Sequence, residues 1–95
     1  MQKLILTPHF KRAFRRFVRH QPALQERIEQ TLRDMERDLT ASHLGLHNLT
    51  GKLRGVRACS CGYDCRILFT IEKHPATGEE VIVLLNIGTH DEVYD

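Results

Sequence analysis

Two stretches of the chain hold residue types able to do acid/base chemistry: the run HNLTGKLRGVRACSCGYDCRILF from His47 to Phe69, and the closing GTHDEVYD that begins at Gly88. Between them they carry His47, Asp64, His90 and Tyr94, the cations Lys52, Arg54, Arg57 and Arg66, and all three cysteines, Cys59, Cys61 and Cys65. Cutting an RNA phosphodiester without a metal requires a base to take the 2′-hydroxyl proton and an acid to protonate the leaving 5′-oxygen. It also requires cations facing the charge that builds on the phosphorane-like transition state. All of these types are present. The set alone has low specificity, because a lone histidine is more often a solvated side chain, and His9, His20, His43 and His74 read that way.

The cysteines admit other chemistry. With His47 or His90 as a fourth ligand, Cys59, Cys61 and Cys65 contain the donors of a tetrahedral zinc site, although C-x-C-x3-C is not the C-x2-C knuckle that makes such a signal specific. A cysteine nucleophile ranks lower, since nothing designates its base, and simple packing of a hairpin accounts for the same residues. An odd cysteine count, and an N-terminal aliphatic run too short for a signal segment, point to a reducing cytoplasm with the thiols free or metal-bound. No segment reaches the length of a membrane span.

At 95 residues the chain is expected to be a single domain over 1–95, too short for a dinucleotide-binding fold. Hydrophobic content of 41% with 27% charged residues is that of a folded globular protein. Leu4 to Thr7 reads as a first strand, with Thr7 as N-cap and Pro8 opening a helix. Phe10, Ala13, Phe14, Phe17 and Val18 recur at helical spacing. A second helix begins near Pro22, carries Leu24, Ile28, Leu32, Met35 and Leu39 on one stripe, and is expected to end around Leu39 to Ser42. The short link between them predicts a helical hairpin.

Beyond Gly55 the period changes to two, on both sides of a turn at Gly62, Tyr63 and Asp64, which predicts a β-hairpin. A further turn from Pro75 to Glu80 leads to VIVLLNI, apolar on both faces and expected to be an interior strand. The predicted fold is α+β: a small antiparallel, partly mixed four-stranded sheet with the helical hairpin on one face, in the order β-α-α-β-β-β plus a short C-terminal segment. If Ile67, Phe69 and Ile71 face the helices, Arg66 points to the other side of the sheet. Arg57 is expected to share that basic side.

Formal net charge is only +2, yet ten of the fourteen basic residues are arginine, the side chain best shaped for phosphate. Lys11, Arg12, Arg15, Arg16 and Arg19 line one side of the first helix. That stripe reads either as a solvated face or as a contact for an anionic partner such as nucleic acid.

Some of these residues carry a resemblance. H-x-L-x-G at His47, Leu49 and Gly51, then Gly55, Asp64 just before the strand Arg66 to Phe69, and the closing G-T-H-x-x-x-Y at Gly88, Thr89, His90 and Tyr94 resemble the RelE/ParE superfamily of bacterial toxins, and within it the YafQ-like ribosome-dependent mRNA interferases. The resemblance implies a toxin of a type II toxin–antitoxin system, a metal-independent endoribonuclease with no cofactor and a 2′,3′-cyclic phosphate product. Its implied partners are a cognate antitoxin in a hetero-oligomer, the ribosome and mRNA. It assigns His47, Asp64, Arg66, His90 and Tyr94 as catalytic: His90 as acid, His47 or Tyr94 as base, Asp64 as a support or relay, and Arg66 with Arg57 as phosphate stabilisers. Lys52, Arg54 and Arg57 are the expected RNA-binding cations. One departure is Ser60, which stands where YafQ-like proteins have a further histidine.

Two rival readings accompany it. One is a gyrase-inhibiting toxin of the ParE branch, which needs no acid/base residues of its own. The other is a non-catalytic RNA- or protein-binding module with a Cys/His zinc site. The nuclease reading makes one spatial demand: the tail with His90 and Tyr94 must fold back beside Asp64 and Arg66, on the sheet face away from the helices.

Overall fold

The computed structural model describes residues 2–94; the two end residues of the expected 1–95 domain, Met1 and Asp95, lie outside the described residues. The elements run β1 (Lys3–Leu6), α1 (Pro8–Phe17), α2 (Pro22–Arg37), β2 (His47–Asn48), β3 (Arg57–Gly62), β4 (Cys65–Lys73), β5 (Glu80–Gly88) and α3 (His90–Tyr94). Among the described residues no helix is long and apolar enough to cross a membrane.

Chain entry into α1 follows the expectation. The Thr7 hydroxyl accepts from the Phe10 backbone N–H at 3.1 Å and donates to the Leu84 carbonyl at 2.8 Å, so one side chain caps the helix and ties it to the sheet. Helix α2 stops at Arg37, earlier than the apolar stripe suggested. Asp38 is the cause: its carboxylate accepts from both the backbone N–H and the hydroxyl of Thr40, at 3.0 and 2.6 Å, and offers the chain a local alternative to another helical turn.

The sheet has five strands in the order β1-β5-β4-β3-β2, with β1 parallel to β5 and the other pairs antiparallel. The strand missed in the sequence is β2, in which His47 pairs with Ala58 and Asn48 with Arg57. Two residues are too few to show a period, so only the pairing reveals it. β5 lies between β1 and β4, as its two-sided apolarity predicted.

Helix α1 packs over β5 and α2 over β3. Between helices and sheet lies the main core, in which Phe10, Ile28, Met35, Leu44, Ile67, Phe69, Ile82 and Leu84 are fully buried. The opposite face is not simply a basic surface. Ala58, Leu68 and Val93 form a second buried cluster there, flanked by Leu49, Leu53, Val56, Leu85 and Tyr94. Through Val93, α3 uses this patch to lie against the far face of the sheet.

The register also corrects the position of Arg57. It pairs with Phe69, whose ring belongs to the helix-side core, while Arg66 pairs with Ser60 on the other face. Side chains of directly opposed residues share a face, so Arg57 and Arg66 lie on opposite sides of the sheet.

The expectation of free or metal-bound thiols is likewise corrected. A bulge between Ser60 and Gly62 takes Cys61 out of the ladder and sets it beside Cys65, and the two are joined by a disulfide. Cys59 is the free thiol among the described residues; burial pushes its pKa up to about 12. All three sulfurs belong to the helix-side core, whereas His47 and His90 are exposed, and among the described residues no three metal-ligating side chains come together. The geometry therefore does not assemble the Cys/His zinc site.

Two outcomes follow from this packing. Phe69→Ala is expected to cost about 3–5 kcal/mol and Leu68→Ala about 2–5 kcal/mol, read from urea denaturation midpoints at constant slope. A cost for Leu68→Ala as small as that of a surface change would mean the far-face cluster is no core. Because a raised pKa keeps Cys59 protonated at pH 8, the native chain is expected to resist alkylation. Unfolding without reductant is expected to expose one reactive thiol, and unfolding with reductant three.

Candidate active site: a groove under the C-terminal helix

On the far face a groove of about 650 Å³ is lined by His47, Lys52, Arg66, His90 and Tyr94, with Leu49, Thr50 and Leu53 completing its wall. It gathers four of the five expected catalytic residues and one of the three expected RNA-binding cations. The five arrive from four segments: His47 from edge strand β2, Lys52 from the turn after it, Arg66 from β4, and His90 and Tyr94 from α3. The tail thus folds back beside Arg66 on the far face, whereas Asp64 lies outside the groove.

His47 is exposed, and its Nδ1 lies 3.0 Å from the Gly45 carbonyl oxygen. A carbonyl can only accept, so Nδ1 carries the proton and the Nε2 lone pair of the neutral ring is free to act as a base. Arg66 is half-buried. Its Nη1 donates to the Cys65 carbonyl at 2.9 Å and the Gly62 carbonyl at 3.3 Å, with the Ser60 hydroxyl at 3.5 Å. One corner of the guanidinium is therefore tied to the hairpin end, which orients the remaining donors. Ser60 thus assists in holding the arginine.

His90 and Tyr94 sit one helical turn apart, with ring centroids 4.5 Å apart in an edge-to-face arrangement. The Nδ1 of His90 lies 3.4 Å from Asp91 Oδ1.

Asp64 lines not this groove but a neighbouring hollow with Phe17, Leu24 and Arg27. It sits in the hairpin turn at φ 49°, left-handed backbone that aspartate tolerates better than most residues. From there its Oδ1 accepts the His90 backbone N–H at 2.9 Å, across 26 positions of sequence. Its observed contact is thus with the backbone that carries the histidine. Arg54 and Arg57 line a second hollow, which shares Leu49 and Thr50 with the groove.

Sequence reasoning missed Thr89 and Glu92 as a pair. The Thr89 hydroxyl accepts from the Glu92 backbone N–H at 3.2 Å, and Glu92 Oε1 accepts from the Thr89 N–H at 2.8 Å. This reciprocal box opens α3, and its T-x-x-E spacing was legible as a helix start.

No protein-family model matches the sequence, nor does any curated protein. Comparison of folds is more informative. YafQ in the DinJ–YafQ complex from E. coli superposes with a TM-score of 0.75 at 9% identity, covering 100% of both chains. A copper-bound mutant toxin from Helicobacter pylori gives a TM-score of 0.69 at 24% identity, over 99% of this chain and 100% of that one. The YoeB/ParE toxin from Agrobacterium tumefaciens gives 0.73 at 17% identity, over 94% and 99%. The chain therefore shares the fold of these solved toxins, as the resemblance implied.

The Asp64 contact separates two roles. An asparagine retains an acceptor oxygen for the His90 N–H but cannot exchange a proton as a carboxylate does. Asp64→Ala is expected to raise the hydrogen-exchange rate of the His90 amide about 2- to 30-fold, the equivalent of losing a cap worth about 0.5–2 kcal/mol. Asp64→Asn is expected to leave it near the native rate. Equal exchange in all three proteins would show that the carboxylate does not anchor α3.

Proposed function

We propose that this chain is the toxin of a type II toxin–antitoxin pair: a cytoplasmic endoribonuclease that cleaves mRNA on the ribosome by metal-independent acid/base catalysis. The observation that carries this reading is the convergence of His47, Arg66, His90 and Tyr94 on one solvent-open groove, with Lys52 at its rim. A base, an acid and two cations around a single cleft are what phosphodiester transesterification asks for.

In this mechanism His47 Nε2 takes the proton from the 2′-hydroxyl, and the resulting O2′ attacks the adjacent phosphorus. Arg66, with its orientation set by the hairpin carbonyls, faces the non-bridging oxygens as negative charge accumulates. The bond to O5′ breaks, and protonated His90 gives its proton to that oxygen, leaving a 2′,3′-cyclic phosphate. Tyr94 packs against the His90 ring and limits its orientations. RNA extending past Thr50 meets Arg54 and Arg57 in the adjoining hollow, which suits them to backbone contact outside the reacting centre.

A cognate antitoxin is part of the proposal, supported by the fold shared with YafQ, whose solved complex contains DinJ. A gyrase inhibitor of the ParE branch would not need acid and base groups gathered in a cleft, and so has less support.

The test is cleavage of mRNA on programmed ribosomes, with new ends mapped by primer extension. His90→Ala and His47→Ala are each expected to lower the cleavage rate by about 10²–10⁴-fold, and Arg66→Ala by about 10²–10³-fold. Cleavage undiminished in His90→Ala, or growth arrest marked by DNA damage with no new RNA ends, would refute the nuclease.

A further inference from the structure

The helix that delivers His90 and Tyr94 is five residues long. Nucleating one helical turn is unfavourable and a helix this short has almost no propagation to offset it, so α3 depends on what holds its ends. Val93 fixes one side by burial against Ala58 and Leu68. The first turn is held by polar contacts: Asp64 on the His90 N–H, and the reciprocal pair of Thr89 and Glu92.

Glu92 does not reach the groove. It lines a separate hollow beside His9 and Arg16 of α1, because a residue two positions along a helix points roughly to the opposite side. Its carboxylate is nevertheless folded back onto Thr89, the residue immediately before His90. What allows this is Gly88. A Cβ built there would stand 2.9 Å from Glu92 Oε1 and 3.2 Å from Glu92 Cβ, so any side chain at position 88 displaces the carboxylate.

We propose that Glu92 is a positioning residue for the nuclease site: by closing the first turn of α3 over the side-chain-free Gly88 it sets the direction of His90. This rests on the acid role given to His90 above. Gly88, Thr89 and Glu92 then form one device that works entirely from the side of the helix facing away from substrate. A capping role confined to stability would lower the melting temperature and leave turnover of the folded protein intact. A positioning role lowers kcat and leaves KM, because the groove wall that binds RNA is unaltered.

The experiment compares the full chain with Glu92→Ala, Glu92→Gln, Gly88→Ala and the Gly88→Ala/Glu92→Ala double variant, all assayed well below their melting temperatures. Glutamine keeps an acceptor oxygen at the same reach and is expected to retain kcat within about threefold. Glu92→Ala is expected to lose about 10- to 100-fold in kcat with KM nearly unchanged, the scale of a small misplacement of a catalytic group. Gly88→Ala is expected to match it, and the double variant to be no worse than either single, since both remove the same contact.

Hydrogen exchange at the Thr89 and His90 amides is measured on the same proteins and is expected to rise in Glu92→Ala and Gly88→Ala but not in Glu92→Gln. Native kcat in Glu92→Ala would overturn the inference even where exchange rises, as would a Glu92→Gln protein as impaired as Glu92→Ala. If the native chain cuts no RNA, the nuclease reading fails and the positioning role, which rests on it, fails with it; cleavage by the native chain with native kcat in Glu92→Ala overturns the positioning role alone.

Discussion

Strand β4 has to satisfy two cores at once, and the rest of the molecule depends on its doing so. Its alternation sends Ile67 and Phe69 into the layer beneath α1 and α2, while Leu68, between them, joins Ala58 and Val93 on the other face. A strand that buried only one face would leave the far side polar, and a five-residue helix would have nothing apolar to rest on. Leu68 therefore does more than fill space, because it makes the far face a surface to which the tail can return.

The polar groups of the groove follow from that arrangement. Arg66 immediately precedes Ile67 and so must share the face of Leu68, and α3 arrives on the same face because Val93 is buried there. The groove is thus bounded by groups that cannot move independently. His47 and Lys52 are held by the β2 edge and the turn after it, Arg66 by the hairpin carbonyls, and His90 by Asp64 and the Thr89–Glu92 pair. The Cys61–Cys65 bond closes the hairpin end from the helix side, beneath the turn that carries Asp64. Apolar burial fixes where α3 lies, and a few directional hydrogen bonds fix how its side chains point.

Much of the fold was legible in the chain. The Thr7 cap and Pro8 start, the apolar stripes of α1 and α2, the hairpin turn around Tyr63 and the interior strand ending near Gly88 each rest on spacings of at most four residues. Other features were not. The two-residue β2 had no period to read, and α2 ended early because Asp38 and Thr40 form a local bond that competes with the apolar stripe. Arg57 was expected beside Arg66, yet one residue of register decides its face, and that register comes from pairing with Phe69 rather than from anything near Arg57.

What the sequence determined by itself is the inventory and much of the local conformation: which groups can donate, accept or carry charge, and which of the longer segments are helix or strand. Covalent geometry repeats at 3.6 or 2 residues, so a few neighbours suffice to express it. Only the tertiary structure decided which groups meet: that Asp64 holds the His90 backbone, that Cys61 pairs with Cys65 inside the core, and that Glu92 folds back over Gly88. The first two depend on the register of strands and the return of the tail, which are set by burial on both faces of the sheet. The third depends on the absence of a side chain at position 88, which matters only once α3 has been brought to rest on the far face.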